Sequence, residues 1–209
     1  MTILALEFSS ARRSAALARG GEVLAEATEQ NGARGTNAFG LVEKILADAH
    51  GQRAEVEVIA VGLGPGSYTG IRAAIALAQG WQLAAGVKLL GVSSVASLAA
   101  QAQAENIFGR VNLVIDAQRV EFYLTTWEIS GTQRREISPL EIVPAAEIAA
   151  RTAAGEICAG PEMERRLFPS AATIARLAAE RTDFLPGDRL EPVYLRETSF
   201  VKAPGRRVF

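Results

Sequence analysis

Ile3-Leu4-Ala5-Leu6-Glu7-Phe8 and Val111-Asn112-Leu113-Val114-Ile115-Asp116-Ala117 are the two stretches on which the fold turns. Each is a short, mainly apolar run, the length and composition of a strand buried on both faces. Each ends beside one acidic side chain in an apolar setting, Glu7 in the first and Asp116 in the second.

The flanking sequence repeats one plan. After the first run come a β segment over 14–19, the two-residue hairpin signal Gly20-Gly21, and a third strand in which Val23, Ala25 and Ala27 alternate with Glu22, Leu24 and Glu26. Helical spacing of Phe39, Val42, Leu46 and Ala49 predicts a helix over 36–50. A strand over 56–63, a helix over 69–85, a short strand over 89–92 and a helix over 93–103 follow. The second run leads into strands over 120–129 and 135–143, a helix over 145–152, a strand over 156–159 and a helix over 170–182. Both halves read strand, strand, strand, helix, strand, helix. This predicts an α/β chain made of two βββαβα subdomains, 1–104 and 105–209, the ground plan of the actin-like ATPase (ASKHA, ribonuclease H-like) architecture.

Composition removes several functions. The 209 residues carry 22 Lys plus Arg against 23 Asp plus Glu, and residues 1–104 hold eight of each sign. There is no global positive field to attract nucleic-acid phosphates. One Cys excludes a disulfide within the chain, and His50 with Cys158 falls short of a zinc ligand set. Residues 73–87 carry no charge, but the stretch is too short and too interrupted by Gln and Gly for a membrane span. The first residues show no basic region followed by a long apolar stretch, so a cytoplasmic protein without membrane association is expected.

The junction Gly62-Leu63-Gly64-Pro65-Gly66-Ser67-Tyr68-Thr69-Gly70-Ile71-Arg72 follows a predicted strand and opens a predicted helix. Such a loop can aim backbone N–H groups at an anion. It lacks the Lys-Ser/Thr pair of a P-loop and does not fit G-x-G-x-x-G. It also reads as a tight turn, with Pro65-Gly66 central in a type II turn and Ser67 or Thr69 capping the helix.

Gly64 to Arg72 resembles the G-P-G-S-[FY]-T-G-[LIV]-R signature of the TsaB family, the accessory subunit of bacterial tRNA threonylcarbamoyladenosine (t6A) synthesis, formerly called YeaZ or glycoprotease-like. Ile3-Leu4-Ala5-Leu6, Gly91-Val92-Ser93-Ser94, Val114-Ile115-Asp116-Ala117 and Glu191-Pro192-Val193-Tyr194-Leu195-Arg196 match the same family. The chain departs from it where Glu7 replaces the usual Asp, where Gly35-Thr36 replaces a His-Ser or His-Thr pair, and where Gln118-Arg119-Val120 stands in place of a Gly-containing turn.

The resemblance implies an actin-like fold with degenerate nucleotide sites. Glu7, Ser9, Ser10, Gly64, Gly66 and Asp116 are the phosphate-loop candidates, but Ser9-Ser10 and Gln118-Arg119 supply no glycine for close approach of a phosphate. Near the penultimate helix only Gly160 is available for an adenosine. No catalytic group, metal ligand or cofactor is expected, and Cys158 reads as packing in an apolar strand. The catalytic paralogue TsaD holds metal through two His on one helix; here the helices offer only His50.

Because 73–87 is uncharged, its helix must be covered all round, by the neighbouring helix or by another protein. The resemblance points to the second. TsaB pairs with TsaD, and with itself, through its first two helices. Phe39, Val42, Leu46, Ile75, Gln79 and Gln82 are the interface candidates. The expected function is a non-catalytic scaffold for TsaD and TsaE that meets tRNA only indirectly. An ATP-dependent enzyme of the actin-like class is the alternative, and direct tRNA binding through Lys202, Arg206 and Arg207 a third reading.

Overall fold

Five strands of the first half form one sheet in the computed structural model, which describes residues 1–30 and 37–195. They are β1 (Thr2–Glu7), β2 (Arg12–Arg19), β3 (Glu22–Gln30), β4 (Val58–Gly62) and β5 (Lys88–Val92), ordered β3-β2-β1-β4-β5. β1 runs antiparallel to β2 and parallel to β4. The second sheet holds β6 (Gly109–Gln118), β7 (Glu121–Ile129), β8 (Arg134–Pro144), β9 (Ile157–Gly160) and β10 (Arg165–Arg166), ordered β10-β9-β6-β7-β8. Read from β8, that order is again third, second, first, fourth, fifth. The duplication predicted from the two apolar runs is present, and the fold is actin-like.

Among the described residues, five α-helices cover the sheets: α1 (Ala38–Asp48), α2 (Tyr68–Ala85), α3 (Ser94–Ala104), α4 (Ala145–Ala153) and α5 (Ala171–Ala178). The expected start of α1 at Gly35-Thr36 lies outside the described residues, and α5 ends before the expected 182. Ile3 to Leu6 of β1 are all apolar because both faces of the strand are covered. Leu4 and Leu6 pack beneath α1 and α2, against Ile45, Ile71 and Ile75. Ile3 and Ala5 face α5, with Ala16, Ala18, Val58 and Ala60 beside them. Small side chains on this face let α5 lie close to the sheet.

Two helices cross between the halves. α3, from the segment 1–104, packs Val95, Leu98 and Ala102 on Val111, Leu113 and Ile115 of the second sheet. α5, from the segment 105–209, covers the first sheet. Tertiary partners cap the start of α5: the N–H of Ala171 donates to Ser14 Oγ at 2.8 Å and that of Ala172 to Glu26 Oε1 at 3.2 Å. α3 and α5 are joined by Ser170 N–H to Ser97 Oγ at 3.2 Å and Thr173 Oγ1 to Gln101 Oε1 at 3.1 Å. The two sheets are therefore joined by a crossed, hydrogen-bonded pair of helices.

Candidate functional site

The Gly-rich junction is built by close backbone approach. Ser67 donates its N–H to the Ser9 carbonyl at 2.7 Å, and its hydroxyl caps α2 by accepting from the Gly70 N–H at 3.3 Å. A Cβ on Gly66 would fall on the Ser9 carbonyl, and one on Gly70 on the Phe8 carbonyl. Both glycines thus let the start of α2 rest directly on the end of β1. The Gly64–Pro65 peptide is cis, and Gly66 has φ 145°, outside the type II turn expected there.

Glu7 lies beneath this junction and is fully buried. Its Oε1 accepts the Ser9 N–H at 2.7 Å, and its Oε2 accepts the Ser94 hydroxyl at 2.7 Å. Ser94 and Gly64 bond reciprocally, Gly64 N–H to Ser94 Oγ at 3.0 Å and Ser94 N–H to Gly64 O at 3.0 Å. A Cβ on Gly62 would strike the Glu7 carboxylate. Burial raises the Glu7 carboxyl above its ordinary 4.5, and hydrogen bonds from Ser9 and Ser94 offset only part of that. This carboxylate ties β1, the β4–α2 loop and α3 together.

Above it a cleft of about 590 Å³ opens between the sheets, lined by Ser9, Ser10, Gly66, Asp116, Arg119 and Glu162 among others. Glu7 is not among its lining residues, and Gly64 is buried behind it. Asp116 faces the cleft with both oxygens engaged, accepting the Gln118 N–H at 2.7 Å and the Gln118 side-chain amide at 2.6 Å. These bonds hold a β6–β7 turn in which Gln118, Arg119 and Val120 all have positive φ, near 60°. Burial raises the Glu162 carboxyl, a backbone hydrogen bond from Asp116 pulls it back, and the charge of Asp116 adds to the rise. A Cβ on Gly160 would fall on the Val114 carbonyl, so that glycine serves strand packing between β9 and β6.

Glu162, Ser94 and the Tyr68–Tyr194 ring pair at the cleft rim, centroids 5.7 Å apart, escaped sequence reasoning. Ser94, Tyr68 and Tyr194 each had one signal, a place in the matched Gly91–Ser94, Gly64–Arg72 and Glu191–Arg196 segments; no local pattern marks Glu162. His50 is exposed just past the end of α1, and Cys158 is half-buried in β9. Among the described residues, no three His, Cys, Asp or Glu side chains come together as a metal site. Lys202, Arg206 and Arg207 lie outside the described residues.

The interface candidates separate by burial. Val42, Leu46 and Ile75 are 2%, 5% and 6% exposed and belong to the core under the first sheet. Helical spacing identified the sheet-facing stripe, which is the more apolar one, so these three point inward. Gln79 and Gln82 bond to the chain's own Gly187. Phe39 alone of the six is well exposed, at 72%. The outward face of α2 consists instead of Arg72, Ala76, Gly80, Leu83 and Ala84, with Leu83 89% exposed.

The sequence model of the family described as TsaD, tRNA N6-adenosine threonylcarbamoyltransferase, matches residues 32–181. The chain is 35% identical over 88 residues to the tRNA threonylcarbamoyladenosine biosynthesis protein TsaB of Escherichia coli, covering 42% of this chain and 38% of that protein. It is 29% identical over 140 residues to the TsaB of Bacillus subtilis, covering 66% and 60%. A crystal structure of a Pseudomonas aeruginosa protein with similarity to peptidase YeaZ superposes with TM-score 0.78 at 29% identity, over 93% of this chain and 99% of that one. The chain belongs to the TsaB branch of this family. Its alignments span 38% and 60% of these two curated relatives.

The departures of this TsaB-family chain all have a local structural reading where they are described. Glu7 is one methylene longer than Asp, and the space over Gly62 receives that length. The turn at Gln118–Val120 takes the left-handed backbone without a glycine, held by Asp116. No described helix is long and apolar enough to cross a membrane.

Proposed function

We propose that this chain is a non-catalytic accessory subunit in t6A modification of tRNA, working in the cytoplasm as the scaffold of a TsaD homologue together with a TsaE homologue, and meeting tRNA through them. The observation that carries this is the exposed, uncharged outer face of α2 from Ala76 onward, where Ala76, Gly80, Leu83 and Ala84 stand open while Ile71, Ala74, Ile75 and Ala78 are buried on the inner face. A stripe of small residues with one exposed Leu suits close packing by another helix. A second copy of the chain would use the same face. The family name of the curated relatives supplies the process.

The cleft supports the accessory role from the other side. Glu7 is consumed by Ser9 and Ser94, and Asp116 by the Gln118 turn, so the two carboxylates that end the first strands hold backbone in place. A transferase partner would carry the reacting groups.

Leu83→Asp tests this. It places a charge at the centre of the face without touching the core. Copurification with the TsaD homologue of the same organism should be lost, and unchanged copurification would remove the interface from this helix. Calorimetry with Mg-ATP on the isolated chain tests the accessory role; submillimolar binding that disappears in Asp116→Ala would make the chain a nucleotide enzyme instead.

A further inference from the structure

We infer that the segment 184–195 is a strap that positions the C-terminal half of α2. The inference rests on the reading of the α2 face given above. After α5 the chain runs back over the first sheet. Leu185 donates its N–H to the Leu89 carbonyl at 2.9 Å, on the outer edge of β5. Gly187 is then held from both sides by α2: its carbonyl accepts Gln79 Nε2 at 2.7 Å, and its N–H donates to Gln82 Oε1 at 2.9 Å. A Cβ on Gly187 would stand 2.7 Å from Gln82 Oε1, so a side chain there would push the Gln82 amide away from the N–H it accepts. Leu190 enters the core at 2% exposure, Val193 donates to the Leu63 carbonyl at 2.9 Å, and Tyr194 meets Tyr68 at the start of the helix.

The strap matters because of where α2 is and is not packed. Its buried residues are Gly70, Ile71, Ala74, Ile75 and Ala78, all in its first eleven positions. From Gln79 to Ala85 no residue is buried, and Trp81 is half-buried against the core. Those last two turns carry Gly80, Leu83 and Ala84, the open part of the face. The side-chain hydrogen bonds that tie them to the body run from Gln79 to Gly187, from Gly187 to Gln82, and from Gln82 to Val87 at 3.4 Å. A partner reading this face thus meets a helix end that is held to the strap through one residue, Gly187. Two glutamines in an otherwise uncharged helix have a specific task here: their amides grip a main-chain N–H and C=O together.

The test compares a Gln79→Leu/Gln82→Leu double variant, which keeps side-chain bulk, with Gly187→Val, which breaks the clamp from a residue away from the face. Amide exchange of residues 79–86 should speed by about 30-fold in both, the combined worth of two ordinary hydrogen bonds. Affinity for the TsaD homologue, by biolayer interferometry, should fall about tenfold because a smaller fraction of the chain presents the helix end correctly. The urea midpoint of global unfolding should stay near the wild type for the double variant. Wild-type exchange at 79–86 in the double variant overturns the strap. So does unchanged affinity in both variants while Leu83→Asp still abolishes binding. If Leu83→Asp leaves binding intact, the face reading is what fails, and the exchange rates alone decide the strap.

Discussion

Replacing Glu7 separates a structural carboxylate from a catalytic one. Glu7→Ala removes the acceptor of the Ser9 N–H and the acceptor of the Ser94 hydroxyl, both buried. Each orphaned donor costs about 1–2 kcal/mol, and the emptied space adds to it, while release of a buried acid returns part. A net loss of about 3 kcal/mol is expected, or roughly 6–12 °C in melting temperature for a chain of this size. Glu7→Gln keeps shape and one acceptor oxygen and should stay within about 1 kcal/mol of wild type. The pH dependence fixes the sign. Burial raises the folded carboxyl above its ordinary 4.5, so the folded state binds this proton more tightly than the unfolded chain. The group therefore lowers stability above its folded pKa, and that cost is relieved as pH falls through the folded pKa towards 4.5. Urea unfolding followed by circular dichroism at a series of pH values between 4.5 and 8 should show this component in wild type and its absence in Glu7→Gln. Equal midpoints for Glu7→Ala and wild type, or equal losses for Ala and Gln, would refute the pin.

Gly70→Ala drives a methyl into the Phe8 carbonyl and should destabilise by about 2–3 kcal/mol in the same urea assay, against less than 0.5 for an unconstrained helix position. Val120 is 80% exposed with φ 64°, so Val120→Gly should raise stability by about 0.5–1 kcal/mol, the relief of left-handed strain less the added chain entropy. Ile75→Asp puts an unpaired charge into the core and should cost about 3–5 kcal/mol, so loss of partner binding in that variant reports unfolding. Leu83→Asp should instead melt within about 0.5 kcal/mol of wild type while losing the partner, checked by melting and pull-down on one preparation.

The two apolar runs could be read as strands because each is too short for a buried helix, and because a hairpin signal such as Gly20-Gly21, with φ 59° and 87°, marks where the next strand turns. The crossing of α3 and α5 left no such trace. Which sheet a helix covers depends on the path of the connection, and Ser14 or Glu26 becomes the cap of α5 only after that path is taken. At the junction the glycines were visible but their neighbours were not. A phosphate and a carbonyl make the same demand on a glycine, and here the close neighbours are the carbonyls of Phe8 and Ser9. Val42, Leu46 and Ile75 lie in the core for a related reason: periodicity finds the most apolar stripe, which is the one the core takes, whereas an association face can be built of Ala and Gly.

Absence of charge alone does not mark a partner-binding helix, as α2 and α3 show together. Residues 89–104 are as free of charge as 73–87, yet seven residues of α3 are buried, most of them against the second sheet and α5. Crossing between the two halves gives α3 a cover on several sides. α2 has the first sheet on one side and the strap on another, and its remaining side holds Ala76, Gly80 and an almost fully exposed Leu83. An apolar helix face left open in a chain with this much buried core costs solubility, and nothing in the packing of α2 requires Leu at position 83. The same chain uses Glu7 and Asp116 to hold its own loops. Glu7 is buried and Asp116 has both oxygens held at the cleft by Gln118, whereas Leu83 is apolar and faces outward. On the accessory role proposed above, Leu83 rather than Asp116 is the position at which a single substitution should abolish function.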